Sequence, residues 1–173
     1  MPEETPPRAQ RYAYKALLSY SQGILERLGL GSKDAMEVAA CLINADLRGV
    51  YSHGVVRLPV YAKRITAGIV NTQPQIRVEE RTPNCALVDG DNGPGPVVAA
   101  LAMTKAIELA QTHGAAFVAV RRSNHFGAAA HYVQKALTCG LIGIASSNAP
   151  PNMAPYGGKQ KFLGTNPLAI GIP

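Results

Sequence analysis

The 173-residue sequence has no tryptophan, and aromatic residues make up only 6% of it. A core without large rings must rest on alanine, valine, leucine and isoleucine, which suits helices packed on a sheet. Cysteine is scarce as well. Cys41, Cys85 and Cys139 lie far apart and form no C-x-x-C pair, which argues against a disulfide framework or a paired-cysteine zinc site. An odd, dispersed count fits a reducing cytosol. No apolar run approaches the roughly 18 residues of a membrane span. The opening MPEETPPRAQ lacks the apolar stretch of a signal peptide, so the expected location is the cytoplasm. Blocks of like charge are missing too. The net charge is +6, yet the longest basic clusters are the pairs Lys63-Arg64 and Arg121-Arg122. No aromatic stripe alternates with them, so nucleic acid is not an expected partner. A scattered positive excess suits a solvated surface and an acidic substrate. Neither G-x-G-x-x-G nor G-K-[ST] occurs, and DGDNGPGP at 89–96 reads as a turn-rich loop.

What is present is a soluble globular composition, 47% hydrophobic and 16% charged. Tyr14, Leu17, Leu18, Ile24, Leu25 and Leu28 recur at helical spacing over 10–28, and Gly29 and Gly31 mark a stop. Ser32 is positioned to cap a second helix running to about Leu47, with Met36, Ala39, Ala40 and Ile43 as its buried stripe. After Arg48-Gly49 a third helix is expected from about His53 to Ala67, with Pro59 near its first turn. From residue 75 the pattern changes. IRVEE and CALVDG read as strands joined by TPN. A helix over 96–112 follows, with His113 in its last turn, where an imidazole favours the negative dipole end. AAFVAV (115–120) is a strand, 127–138 a helix and LIGIAS (141–146) a further strand, together a βαβ-like unit of undetermined strand direction. The helical region is expected to span 1–72 and a sheet-containing domain to begin at 73. PLAIGI (167–172) reads as a buried strand reaching Pro173 with nothing to cover it, so the chain is expected to be the first part of a longer one.

Three segments could carry chemistry. In D-L-R-G-V-Y-S-H-G-V-V-R (46–57), glycines bracket Arg48, Ser52, His53 and Arg57. A helix beginning near Ser52 would put His53 and Arg57 on one face. A guanidinium can pair with a carboxylate through two parallel hydrogen bonds, and an imidazole can exchange a proton at the neighbouring oxygen. The plainer reading is a helix start capped by Ser52 with surface arginines. In V-R-R-S-N-H-F-G (120–127), Ser123, Asn124 and His125 follow a strand, and the helix after Gly127 would offer backbone N–H groups to an anion. Ordinary turn chemistry with a satisfied loop histidine explains the same residues. The Pro- and Gly-rich stretch 146–158, with KFLGTNP at 161–167, offers Asn148, Thr165 and Asn166 to a ribose, amide or phosphate, or serves as a rigid connector. His125 and His131, six residues apart, would not share a helix face, so no metal pair is expected.

Ser52-His53-Gly54 with Arg57, then Ser123-Asn124-His125, then Leu163-Gly164-Thr165-Asn166-Pro167, in this order, resemble the malate/L-lactate dehydrogenase family of the non-Rossmann type. A-D-L-R-G-V-Y-S-H-G and A-P-Y-G-G add to the likeness, which runs from about residue 12 to the end. The resemblance implies an α/β fold: an N-terminal helical region (1–72) packed with a mixed-sheet, non-Rossmann nicotinamide-binding domain, of which 73–173 is the first, incomplete part. It implies NAD or NADP as cofactor, a small 2-oxo or 2-hydroxy acid as substrate, and a homodimer. His125 is then the first candidate for the proton donor or acceptor and His53 the second. Ser52, Arg57 and Arg48 would bind the carboxylate, and Asn148, Thr165, Asn166 and Pro167 would border the cofactor. The rivals are a non-redox lyase or hydrolase acting on a small carboxylate, and an inactive binding module; a nicotinamide absorbance change and an NADH titration separate the three.

Overall fold

The computed structural model describes residues 11–173. The start of the expected first helix at residue 10 and the first ten residues of the helical region lie outside them. Two helices open the described chain, α1 (Tyr14–Arg27) and α2 (Ser32–Leu47), and they pack against each other. Gly29 supplies the left-handed φ of +97° that lets the chain reverse between them. Ser32 does not cap α2. The cap is Gly31, and no side chain bonds to it. Of the expected stripe of α2, Ala39 and Ile43 are buried and Ala40 is half-buried, whereas Met36 is 39% exposed; Ala35, Val38, Leu42 and Ala45 complete the buried face. Methionine is apolar enough to look like core, but Cys41 and the small alanines are what let neighbouring helices approach. Leu25, Leu30, Val38, Leu42 and Leu58 then form one apolar cluster, and truncating Leu42 to alanine would cost about 3 kcal/mol.

The third helix is shorter than expected. Two single 3-10 turns, Tyr51–His53 and Val55–Arg57, precede α3 (Leu58–Thr66), whose first turn holds Pro59 as its missing N–H permits. The break falls at Gly54. The Asp46 carboxylate accepts the Val55 N–H at 2.8 Å, and a Cβ on Gly54 would lie 1.7 Å from Asp46 Oδ1. A carboxylate therefore occupies the space a helical side chain would need.

Beyond α3 come β1 (Arg77–Thr82), β2 (Cys85–Gly93), α4 (Gly95–His113), β3 (Phe117–Ser123), α5 (Ala130–Leu137), β4 (Gly143–Ser146) and β5 (Leu168–Gly171). The first three strands form a mixed sheet in the order β1-β2-β3. β1 runs antiparallel to β2, and β2 parallel to β3. The βαβ unit is thus β2-α4-β3, one element earlier than the sequence suggests, because β4 leaves that sheet and pairs antiparallel with β5. The expected loop at 89–96 is also partly strand. β2 continues to Gly93 by placing Asp91 and Asn92 at positive φ, 47° and 58°. Asp89 anchors this stretch, accepting from Arg121 Nε at 3.0 Å and Arg122 Nε at 2.7 Å. The Arg122 hydrogen bond chiefly holds the Asp89 carboxyl below the usual range. The arginine pair is therefore committed to the fold.

Val88, Val98 and Ala102 seal α4 onto the sheet, while Ala100 on the same helix meets Cys41 of α2 and Tyr132 of α5. Helix α4 thereby joins α2 to the first sheet, and α5 packs on the second. β5 is not a buried strand in the described chain: Leu168 is 64% and Ile170 59% exposed, since only Ala169 and Gly171 face inward. No described helix is long and apolar enough to cross a membrane.

Candidate active site

The two segments that the sequence separates meet in space. The rings of His53 and His125 stack at 5.6 Å between centroids, with 24° between their planes. Each is delivered by different means. Asp46 pins the turn after His53, as described above. His125 follows β3 on a loop held from both sides. On one side, Asn124 Nδ2 donates to Asn92 O at 2.8 Å and Gly93 O at 3.0 Å. On the other, the Tyr132 hydroxyl donates to Phe126 O, with the Tyr132 and Phe126 rings stacked at 5.3 Å. Gly95 is required where α4 passes underneath. A Cβ there would lie 2.2 Å from the His125 carbonyl oxygen.

Helix α3 completes the cluster. Arg57, Tyr61 and Arg64 stand four and three residues apart, so they share one face. The Tyr61 hydroxyl lies 2.8 Å from His125 Nδ1, and Arg64 Nη2 donates to Asn124 Oδ1 at 2.9 Å. Neither residue was expected from the sequence. The signal was legible as R-x-x-x-Y-x-x-R, but nothing in the sequence says what that face of α3 meets. Arg57 Nε donates to Ser52 O at 2.7 Å. Its terminal nitrogens have no hydrogen bond or ion pair among the described residues, and remain able to form a paired bond with an anion. Ser52 does not cap a helix. Its Oγ instead lies 3.0 Å from His53 Nδ1.

The electrostatics follow from this company. His125, Tyr61 and Arg64 border a cavity of about 20 Å³ whose other walls include Leu25, Val38 and Ile65. It has room for roughly one water, so a substrate must approach the open side of the imidazoles. Burial first, then the positive charges of His53, Arg57 and Arg64, push the His125 pKa down to about 4. Burial and Arg57 also lower that of His53, and burial raises the Tyr61 phenol. Charge is thus disfavoured on both imidazoles, and the cationic side chains around them suit a small anion.

The remaining expected residues lie elsewhere. Arg48 is exposed at the end of α2, and no contact with a described residue joins it to the cluster. Asn148, Thr165, Asn166 and Pro167 sit together on the two arms that lead into β4 and β5. Ala149 N–H donates to Asn166 Oδ1 at 2.8 Å, and Ser147 N–H to Pro167 O at 3.3 Å. Asn166 takes a φ of 38° to do so. Thr165 and Asn148 are exposed. The Gly127 amide does not face an anion as expected; it turns inward to His125 Nδ1 at 3.3 Å. His131 is bound to Glu37 at 2.9 Å, a structural partner across α2 and α5. No group of three metal-binding side chains occurs among the described residues.

Residues 12–173 match the model of the malate/L-lactate dehydrogenase family. The chain belongs to that family. It is 46% identical over 157 residues to malate dehydrogenase of Pyrococcus abyssi, covering 91% of this chain and 43% of the relative. It is 43% identical over 145 residues to ureidoglycolate dehydrogenase (NAD(+)) of Escherichia coli O157:H7, covering 84% of this chain and 42% of the relative. Among solved structures, malate dehydrogenase from Pyrococcus horikoshii OT3 superposes with a TM-score of 0.91 at 44% identity, covering 95% of this chain and 47% of that one. The chain thus spans about half the length, or less, of the relatives it matches.

Proposed function

We propose that the intact enzyme transfers a hydride between NADH or NADPH and a small 2-oxo or 2-hydroxy acid. One observation carries the reading: the His53 and His125 rings stack, and the Arg57 guanidinium lies near enough for its charge to be felt by both. Arg57 holds the substrate carboxylate through its two terminal nitrogens, which sets the carbonyl at a fixed angle to the histidines. The Ser52 hydroxyl lies beside it, and Arg48 gives further attraction from the end of α2. NADH or NADPH, when bound, supplies hydride to the carbonyl carbon. Asn148, Thr165, Asn166 and Pro167 would hold that cofactor. Their exposed hydroxyl and amide donors suit ribose, carboxamide and phosphate, and Asn166 keeps its amide nitrogen free while its Oδ1 braces Ala149. A histidine of the stacked pair exchanges the accompanying proton with the substrate oxygen.

Residues 11–72 are the helical region and 73–173 belong to the cofactor and substrate domain in this reading. The cytoplasm is its location, where the free Cys41, Cys85 and Cys139 suit a reducing medium. A homodimer is its assembly; the exposed Leu47, Tyr51, Val56 and Val60 beside the pocket support a subunit contact there. The decisive experiment follows nicotinamide absorbance in the intact protein against a panel of 2-oxo acids. Substrate-dependent loss of NADH or NADPH is expected. Conversion of a carboxylate substrate with no nicotinamide change would overturn the proposal and favour a non-redox reaction.

A further inference from the structure

We propose that His125 serves as a fixed hydrogen-bond donor to the substrate oxygen through its Nε2–H, locked in that tautomer by the Gly127 amide and Tyr61, while His53 with Ser52 carries the proton. The proposal rests on the hydride-transfer reading above and divides labour between two histidines that the sequence left equivalent.

The Gly127 backbone N–H reaches His125 Nδ1 at 3.3 Å. An amide N–H can only donate, so Nδ1 must present its lone pair, and the proton of the neutral ring sits on Nε2. The Tyr61 hydroxyl meets the same nitrogen at 2.8 Å. Burial raises its pKa, so the phenol stays protonated and donates as well. Nε2 has no partner among the described residues. Protonating His125 fully would place a second proton on Nδ1, against two donors that already point there. Burial and the neighbouring charges of His53, Arg57 and Arg64 oppose that charge further.

His53 differs in its partner. Ser52 Oγ, 3.0 Å from His53 Nδ1, can donate to the neutral ring or accept from the charged one. His53 can therefore cycle between the two forms without losing its hydrogen bond. The rings stack at 5.6 Å, so a charge on one disfavours a charge on the other. The proton in transit therefore passes through His53, which takes it up from solvent when the substrate anion is bound. In the reducing direction the carbonyl oxygen becomes an alkoxide as hydride reaches the carbon. The His53 proton moves to that oxygen, His53 becomes neutral, and solvent later restores its proton. His125 donates a hydrogen bond throughout and keeps its proton, as a neutral imidazole does when it acts as an electrophile.

Nitrogen-15 NMR of histidine-labelled intact protein without cofactor tests the tautomer, with His125 assigned by its loss in His125→Gln. Near neutral pH, Nδ1 is expected to read as an unprotonated acceptor and Nε2 as protonated. Tyr61→Phe should move the Nδ1 signal toward a free acceptor and raise the pH at which His125 ionises. A protonated Nδ1 in the wild type would overturn the proposal. Kinetics test the division of labour. Glutamine can offer an N–H near the position of Nε2, so His125→Gln should keep roughly a tenth of kcat while His125→Ala loses ~10²-fold or more. His53→Gln should lose ~10³-fold, because an amide N–H cannot be given up and regained near neutral pH. Equal losses in His125→Gln and His125→Ala would make His125 the proton carrier after all. If the wild type turns over no nicotinamide with any 2-oxo acid, the hydride reading and the division of labour fall together, and the NMR result still decides the tautomer.

Discussion

The segments 52–64 and 124–127 on one side, and the arms around 147–153 and 162–167 on the other, are both polar loops beside regular structure, yet they are held in different ways. In the first region side chains make the connections: Tyr61 to His125, Arg64 to Asn124, Asn124 to Asn92 and Gly93. Each bond spans a long stretch of sequence, and each fixes one imidazole or the loop that carries it. In the second region mostly backbone pairs with backbone, through the Met153–Leu163 bridge and Ser147 to Pro167. Its large side chains stay outside, with Phe162 76% and Leu168 64% exposed. The first region is preorganised for chemistry, while the second offers a shape and exposed donors for a ligand. Variants should therefore separate into those that move proton transfer and substrate binding and those that move cofactor affinity.

Among variants that probe how the two regions are held, the largest expected effect comes from Gly95→Ala, which drives a methyl group against the His125 carbonyl oxygen, a backbone atom that cannot rotate away. A stability loss of ~3 kcal/mol in urea melts is expected, with a fall of ~10² in kcat in whatever remains folded. Unchanged stability and activity would mean that the loop is not braced by α4. Arg57→Lys comes next. It keeps the charge but loses the two-pronged geometry, so the substrate KM should rise ~30-fold with a much smaller change in kcat. A kcat effect as large as the KM effect would place Arg57 in the chemical step. Thr165→Ala probes the second region. Loss of about 1 kcal/mol should raise the Kd of NADH or NADPH roughly five-fold and leave the substrate KM alone. If it raises only the substrate KM, the two regions are not separate in function.

The mildest test is pH. The fold favours neutral His125, with a pKa of about 4 against an ordinary 6.5. The unfolded chain takes up a proton below 6.5 that the native state refuses. Stability is thus fully present above that value and declines as pH falls from about 6.5 toward about 4. His125→Gln should show a shallower decline over that window. Identical pH dependence in the two proteins would show that His125 does not feel the buried, cationic surroundings described here.

Much of this was legible in the residues. Periodicity placed every helix and strand to within a few positions, and the ordered trio of SHG, SNH and LGTNP pointed to the family. The misplacements have particular causes. The helix expected from His53 breaks at Gly54 because Asp46 fills the space beside it, a contact no local pattern encodes. β4 left the main sheet because pairing depends on which strand the fold brings alongside, and α5 packs it against β5 instead. Tyr61 and Arg64 went unnoticed because their face of α3 looks like any amphipathic surface until it meets His125.

Local chemistry by itself determined the inventory: which residues can exchange protons, which can grip a carboxylate, and where helices and strands must run to bury leucine and valine. Three-dimensional packing alone decided their relations. Gly127 and Ser52 are sequence neighbours of the histidines they meet, but only when α3 is pressed against the loop after β3 does His125 gain Tyr61 as a second donor and stack on His53. The physical reason is that a hydrogen bond or a desolvated charge depends on distances of a few ångströms between groups far apart along the chain, and those distances are set by tertiary packing.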